Sequence, residues 1–450
     1  MDSPSSDFFL WRLFALEPGQ LTPVERTLLR VALFIGLAVI VCTYWDIRTY
    51  SGDDLRNRVV GARVMLAGFD PYTFVWQPGM PEEWLDPVYD NVHRLTVSPP
   101  TLLLYVPMAA LPFQAQRFIS FVAEWLALLA SLALLARSLS ESRHRVIFLL
   151  GATLFVMVTD VWRLHVERGQ VYVFQLLALS ATIAWSRRGS VDSIAAGIAL
   201  GALGLMRPNL LVIAPAFLIL RQWRSTSAML TTVGVALAVT FLMLPTSSWQ
   251  SYLATGDHYY RYIQDPSYTT VPRPDHVGLV EGTQFGVALT KVSSSSFAYL
   301  WYLADLRFSL PAIDVALTCK IILAALAALL LVLVWLLRGD ARSAFALLIV
   351  MSLDTEFFLP HRWGYTDVIL LPPLALMLPE LLQPGRTNRL ALGVVLLGLI
   401  SGPLGQILLG IHAATFLRSW LVMGGLTALA LTTLNEPRPS GSGEPRVTAP

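Results

Sequence analysis

Apolar residues fall along this chain in long blocks with little alternation. Runs free of Asp, Glu, Lys and Arg cover residues 169–186, 225–256, 321–337, 390–417 and 419–435. A bilayer crossing needs roughly 20 mainly apolar residues, so these blocks predict membrane-spanning helices. Hydropathy and breaker residues together predict twelve spans, at about 27–45, 117–137, 146–160, 170–186, 190–206, 209–221, 227–245, 311–337, 343–359, 365–382, 389–410 and 413–434. The apolar piece 100–112, between Pro99-Pro100 and Pro112, is short for a crossing and reads as a re-entrant or interfacial helix. The expected organisation is a cytoplasmic N-terminus (1–26), a transmembrane domain (27–434) and a disordered cytoplasmic tail (435–450) rich in Pro, Ser and Gly. Two long loops, about 46–99 and 246–310, belong to the transmembrane domain. No small-residue cleavage site follows the first apolar run, which therefore reads as a retained anchor.

Composition turns this pattern into a class. Apolar residues make up 55% of the 450, and only 14% are charged, against about 25% in a soluble globular chain. The fold class expected is an all-α polytopic membrane protein; soluble enzyme, secreted disulfide scaffold and nucleic-acid binder are excluded. The formal net charge of +2 gives no case for a nucleic-acid partner. Cys42 and Cys319 both lie in apolar runs and read as buried thiols. No glycine loop for a nucleotide and no tight metal-ligand spacing stands out, so neither cofactor nor metal is expected.

The scarce charges set the orientation. One set of short loops holds Arg137, Arg143, Arg145, Arg187, Arg188, Arg221, Arg224, Arg338, Arg342, Arg386 and Arg389, 11 in all; the opposite set holds 4, Arg163, Arg168, Arg207 and Arg362. Cytoplasmic loops retain Lys and Arg. The first set is therefore cytoplasmic with both termini, and the long loops face outward, provided that 100–112 does not cross. Each outward arginine alone fits a snorkelling side chain at the interface. Four at related depth fit an anionic ligand on the outer face.

Several polar clusters could carry chemistry there. The first span exits into Tyr50-Ser51-Gly52-Asp53-Asp54, and Leu55 to Ala67 fits a helix along the membrane surface with Gly68 as its stop. Asp53 or Asp54 can cap that helix, or one of them can act as a general base toward a sugar hydroxyl. Asp86, Tyr89, Asp90 and His93 lie in the first outer loop, where the carboxylates read as a solvated face, the weaker alternative being a metal site without tight ligand spacing. Asp160 to Gln170, with Arg163, His165, Glu167 and Arg168, reads as a polar outer turn, either mutually neutralised or functional. Arg207-Pro208-Asn209 breaks two apolar spans, and an arginine at such a break can meet a phosphate bidentately. Pro360-His361-Arg362-Trp363-Gly364-Tyr365-Thr366-Asp367 lies at another outer boundary. Its histidine is either structural or part of a sugar-phosphate site, and its aromatics alone would fit an interfacial belt.

Taken in order, Asp54, Gly61-Ala62-Arg63, Ala67-Gly68-Phe69-Asp70-Pro71-Tyr72 and Ser98-Pro99-Pro100 resemble the opening of glycosyltransferase family 87. Gly169-Gln170 is similar to that family's Gly-Gln turn and Arg207-Pro208 to its basic-Pro break, while His361 falls where it keeps a histidine. The chain departs from the pattern in having Leu55-Arg56-Asn57-Arg58 where aromatics are frequent, and His-Arg-Trp in place of a Trp-x-His type run. The resemblance implies a GT-C fold and a polyprenyl-phosphate-mannose-dependent transferase of the plasma (inner) membrane with its active site facing outward. It implies a polyprenyl-phosphate-linked sugar donor, a lipid or glycan acceptor and contact with membrane lipid. It also implies Asp54 as the base, with His361 as a second catalytic residue. Asp53, Tyr72, Arg168, Gln170, Arg207 and Arg362 would contact substrate, the arginines toward the leaving phosphate. Two other classes fit a polytopic chain: a lipid-linked glycan polymerase or ligase, and a transporter or flippase, which would show internal repeats and charges deep within spans.

Overall fold

The computed structural model describes residues 12–49, 52–85, 95, 97–158, 160–185, 190–208, 211, 213–254, 315–338, 364–409 and 411–432. They are all-helical apart from turns. The helices are α1 (Pro23–Thr49), α2 (Asp53–Leu66), α3 (Phe113–Ser138), α4 (Ser142–Val158), α5 (Asp160–Arg168), α6 (Tyr172–Trp185) and α7 (Ser190–Met206). There follow α8 (Ile213–Ile219), α9 (Trp223–Met243), α10 (Val315–Leu336), α11 (Leu371–Leu381), α12 (Arg386–Leu409) and α13 (Ile411–Thr432).

Three of these helices, α1, α3 and α9, are each long and apolar enough to cross a bilayer. Helices α4 and α5 together make a fourth candidate, bent by 59°. Large apolar side chains stand exposed on the outer faces: Phe34, Val41 and Trp45 on α1, Leu242 on α9, Ile321 on α10 and Leu397 on α12. Apolar surface of that extent is stable against lipid and not against water, so the chain is a membrane protein. Cys42 belongs to this exposed face of α1. That corrects the expectation of a buried thiol, because an apolar run marks burial in the bilayer as readily as burial in protein; the Cys319 side chain lies outside the described residues.

Small residues bring the helices together. In α7, Gly197 and Gly201 form a Gly-x-x-x-Gly face against α9. A Cβ on Gly197 would stand 2.1 Å from the Ser225 carbonyl oxygen, and one on Gly201 would stand 2.7 Å from Thr232 Cβ. Without a hydrophobic drive between helices in lipid, such close backbone approach supplies the association. The pairs 197–225 and 201–232 advance in the same direction, so α7 and α9 run parallel. Helices α12 and α13 form an antiparallel hairpin, with Gly398 against Val422 and Gly425 against Val395.

Described members of the two arginine groups lie at opposite ends of α1. At one end Arg137, closing α3, donates to the Leu13 carbonyl, and Arg145, opening α4, to the Ala15 carbonyl. At the other, Arg163 pairs with Asp46 at 3.0 Å and Arg168 with Asp54 at 2.6 Å.

Four expectations change in detail. Residues 100–112 form a one-turn helix, Pro99–Leu102, and a 3-10 segment, Leu103–Met108, too short to cross. The polar turn at 160–170 is instead the helix α5, because Val161, Trp162, His165 and Val166 supply a buried stripe. Among the described residues of 209–221 the α-helix is the short α8, and 365–382 divides into a 3-10 stretch, Gly364–Leu370, and α11. The span at 343–359 lies outside the described residues.

Candidate functional site

The site forms at the end of the bundle where α2, α3, α5 and α6 meet. Helix α2 is covered on several sides: Leu55, Val59 and Ala62 pack on Tyr105 and Val171, Val60 and Val64 on Phe74, and Met65 on Leu102 and Leu244. A helix covered in this way cannot simply float on the membrane surface. It ends as expected at Gly68, which has φ +82° and passes its N–H to Met65 while Phe69 N–H returns to Val64, a Schellman stop. Its N-cap is Gly52 in the left-handed region, without a side-chain cap bond. Asp53 and Asp54 therefore sit inside the first turn and do not cap the helix in the ordinary sense.

Asp54 Oδ2 accepts from Arg168 Nε at 2.6 Å and from Gln170 Nε2. No donor among the described residues reaches its Oδ1, and the side chain is 22% exposed. Both partners come from the end of α5, which is itself a Schellman stop: Gly169 N–H bonds to Val166 and Gln170 N–H to His165. Gly169 has φ +69°, and a Cβ there would lie 2.5 Å from Leu55 Cβ. Only glycine lets this turn cross α2 closely enough to deliver Gln170.

Three buried groups hold the turn. Arg58, one helical turn beyond Asp54, donates to the Gly169 carbonyl and to Gln170 Oε1, each at 2.8 Å. With its Oε1 taken, Gln170 presents its NH₂ to Asp54. Arg117 of α3 donates to the Val166 and Glu167 carbonyls at 3.3 and 3.0 Å, satisfying the open end of α5. Its side chain fills the space where a Cβ on Gly52 would lie, 2.7 Å away. Beneath them His165 is fully buried and stacks on Trp162. The Val173 N–H donates to His165 Nε2 at 3.1 Å, so the ring proton sits on Nδ1 and faces Glu124 at 3.2 Å.

Asp53 has a different environment. Its Oδ1 is buried without a partner. Burial pushes its carboxyl above the ordinary carboxylate range, and the negative Asp54 adds to that, while Arg168, Arg56 and Arg117 oppose it.

The Arg207 guanidinium stands 4.9 Å from the centre of the Tyr172 ring. Helix α7 stops before it, and the preceding Leu205 carbonyl accepts from Ser98 and Thr101, which ties the Ser-Pro-Pro turn to this break. The Tyr72 hydroxyl donates to the Val97 carbonyl at 2.9 Å, and its ring packs on Tyr252 at 5.5 Å. Burial pushes both phenols up, and at Tyr252 the charge of Arg207 opposes the shift. Thus Asp54, Arg168 and Gln170 are in direct contact, whereas Arg207 packs on Tyr172 and Tyr72 on Tyr252. His361, Arg362, Asn209, Asp86, Tyr89, Asp90 and His93 lie outside the described residues. Among the described residues no three His, Cys, Asp or Glu side chains gather to hold a metal ion.

Sequence reasoning missed Arg58, Arg117 and the Glu124–His165 pair as members of this site. Arg58 carried a usable signal, since four residues after Asp54 it shares that helix face. It also missed Arg418, whose Nε and Nη2 meet Asp367 Oδ2 at 2.7 and 2.5 Å with both side chains almost fully buried. The signal there was one arginine between two charge-free runs.

The chain is similar to the crystal structure of ArnT from Cupriavidus metallidurans bound to undecaprenyl phosphate, with 12% identity, 89% of this chain and 77% of that one covered, and a TM-score of 0.37. No curated protein matches it. Residues 96–360 match glycosyltransferase family 87, a stretch that contains Arg168, Gln170 and Arg207 and begins after Asp54 and Tyr72. That match takes in more than half of the 450 residues, and the chain belongs to glycosyltransferase family 87.

Proposed function

We propose that the protein transfers a sugar, mannose, from a polyprenyl-phosphate donor to a lipid or glycan acceptor, with Asp54 as general base. Family membership supports the reaction class and the donor class. The observation that carries the assignment of the base is the Asp54 carboxylate, fixed through Oδ2 by Arg168 and Gln170 with Oδ1 open. In the reaction the acceptor hydroxyl gives its proton to Oδ1 as its oxygen attacks the anomeric carbon. The bond from that carbon to the phosphate oxygen breaks, and polyprenyl phosphate leaves with the electron pair. Arg168 serves by orienting Asp54. Stabilising the departing phosphate falls to Arg207, together with His361 and Arg362; Asp53 and Tyr72 contact substrate.

The proposed setting is a GT-C fold of about twelve spans in the plasma (inner) membrane with the site facing outward. The excess of arginine at the end opposite Asp54 supports that orientation.

The test is sugar transfer by purified protein in lipid, supplied with polyprenyl-phosphate mannose and a lipid or glycan acceptor. Asp54→Asn is expected to abolish transfer with an unchanged melting temperature. Undiminished turnover in Asp54→Asn overturns the assignment, and a dead Asp53→Asn beside an active Asp54→Asn moves the base by one residue.

A further inference from the structure

Helix α5 ends at Arg168 and α6 begins at Tyr172, so Gln170 stands in the middle of a very short connection. The residue before α6 is Val171, whose side chain has no oxygen with which to cap that helix. The cap comes instead from α5. The Val173 N–H, at the second position of α6 where an N-cap side chain ordinarily accepts, donates to His165 Nε2 at 3.1 Å. The His165 carbonyl meanwhile accepts from the Gln170 N–H at 3.1 Å. One residue thus grips the chain on both sides of Val171, by its carbonyl before and by its ring after.

That grip requires one form of the ring. Nε2 accepts only when it carries no proton, so the proton sits on Nδ1 and needs an acceptor of its own. Glu124 Oε2 stands there at 3.2 Å, and Glu124 Oε1 accepts from Ser120 Oγ, one turn earlier on α3, at 2.7 Å. His165 and Glu124 are 0% and 1% exposed, so water competes for neither. The ring plane is pinned as well. It stacks on Trp162 with centroids 5.2 Å apart and planes 9° apart, and Trp162 meets Trp125 edge-on at 5.0 Å. Buried in this way, neither His165 nor Glu124 touches a substrate.

We propose that His165 is a positioning residue for the transfer reaction and that Glu124 sets its tautomer. Together they fix the main chain at Gln170, whose NH₂ then holds Asp54 Oδ2 and leaves Oδ1 to the acceptor hydroxyl. This role rests on the reading of Asp54 as the base. Packing alone would be served about as well by a hydrocarbon ring of similar size, whereas the grip needs a ring nitrogen that accepts.

The test is a double-mutant cycle on the full-length protein in lipid, with transfer from polyprenyl-phosphate mannose followed at varied donor concentration. His165→Phe keeps an aromatic ring on Trp162 and removes the acceptor. Its kcat is expected to fall on the order of 10²-fold, the scale of misplacing a reacting group by about 1 Å, with donor KM within about twofold. In a Gln170→Ala background the same substitution should cost almost nothing further, because the group it positions is gone. His165→Gln, which carries an acceptor and a donor on one planar group, should recover most of the turnover. Wild-type kcat in His165→Phe overturns the proposal, and so do equal losses in the two backgrounds, which a purely structural histidine predicts. A second measurement does not depend on His165→Phe folding. In protein labelled with ¹⁵N-histidine, solid-state NMR should show the one of the seven histidine rings whose signal His165→Gln removes to be protonated at Nδ1 alone, and Glu124→Leu should shift it. A proton on Nε2 of that ring overturns the proposal. The base assignment fails by a different result, undiminished turnover in Asp54→Asn, which leaves the ring tautomer untouched.

Discussion

Arg58 holds Gln170 by its carbonyl oxygen at 2.8 Å, and this one bond decides which end of the amide faces Asp54. Gln170→Glu keeps the size of the side chain and its bond to Arg58 but brings a second carboxylate against Asp54 Oδ2. Turnover is expected to fall on the order of 10²-fold, the scale of misplacing a reacting group by about 1 Å, with substrate KM little changed. Steady-state kinetics of Gln170→Glu checks this, and wild-type kcat would contradict it.

Asp53 gives a pH signature. Its carboxyl is held above the ordinary range mainly by burial, so ionising it works against the folded state. That unfavourable contribution is absent below about pH 4, where the unfolded carboxyl is itself protonated. It grows as pH rises through the folded value. Asp53→Asn is therefore expected to leave the melting temperature unchanged at pH 4 and to raise it at pH 7. Thermal unfolding at the two pH values measures the difference, and a larger loss at pH 7 than at pH 4 would contradict it.

Arg418 and Asp367 tie α13 to the 3-10 stretch Gly364–Leu370 inside the bundle. Removing one partner strands a buried charge, at a cost of about 3–5 kcal/mol. Arg418→Met should lower the unfolding temperature markedly, and Arg418→Met with Asp367→Leu should recover most of the loss. Unfolding of the two variants side by side in one lipid decides it.

Gly197 sets the approach of α7 to α9. Gly197→Val would place a side chain on the Ser225 carbonyl and is expected to reduce the yield of monodisperse protein severely. Gly36→Val on α1 meets nothing within 4 Å and should leave it unchanged. Size-exclusion profiles of the two variants make the comparison.

The class of the fold was legible because lipid imposes the same requirement on every crossing: a long apolar run that satisfies its own backbone. The stops at Gly68 and Gly169 were legible because a left-handed residue after a helix is a local demand on one position. Asp160 to Gln170 misled because Arg163, Glu167 and Arg168 are dense in sequence but fall, at helical spacing, off the buried stripe of Val161, Trp162, His165 and Val166. Arg117 was invisible for the opposite reason: its partners Val166 and Glu167 are backbone carbonyls some fifty residues away, and any residue type supplies those. Cys42 shows the remaining ambiguity, since hydropathy does not distinguish a side chain packed on protein from one facing acyl chains.

The two donors on Asp54 occupy the same oxygen, Oδ2. In the proposed reaction the carboxylate can thus receive a proton from one side only, and an acceptor must present a single hydroxyl to Oδ1 while its neighbours point elsewhere. Linkage regiochemistry would then be chosen before any bond is made, by which carbon of the acceptor ring carries the hydroxyl that reaches that one oxygen. A variant that frees Oδ2, Arg168→Ala combined with Gln170→Ala, would betray this as a mixture of positional isomers in the product.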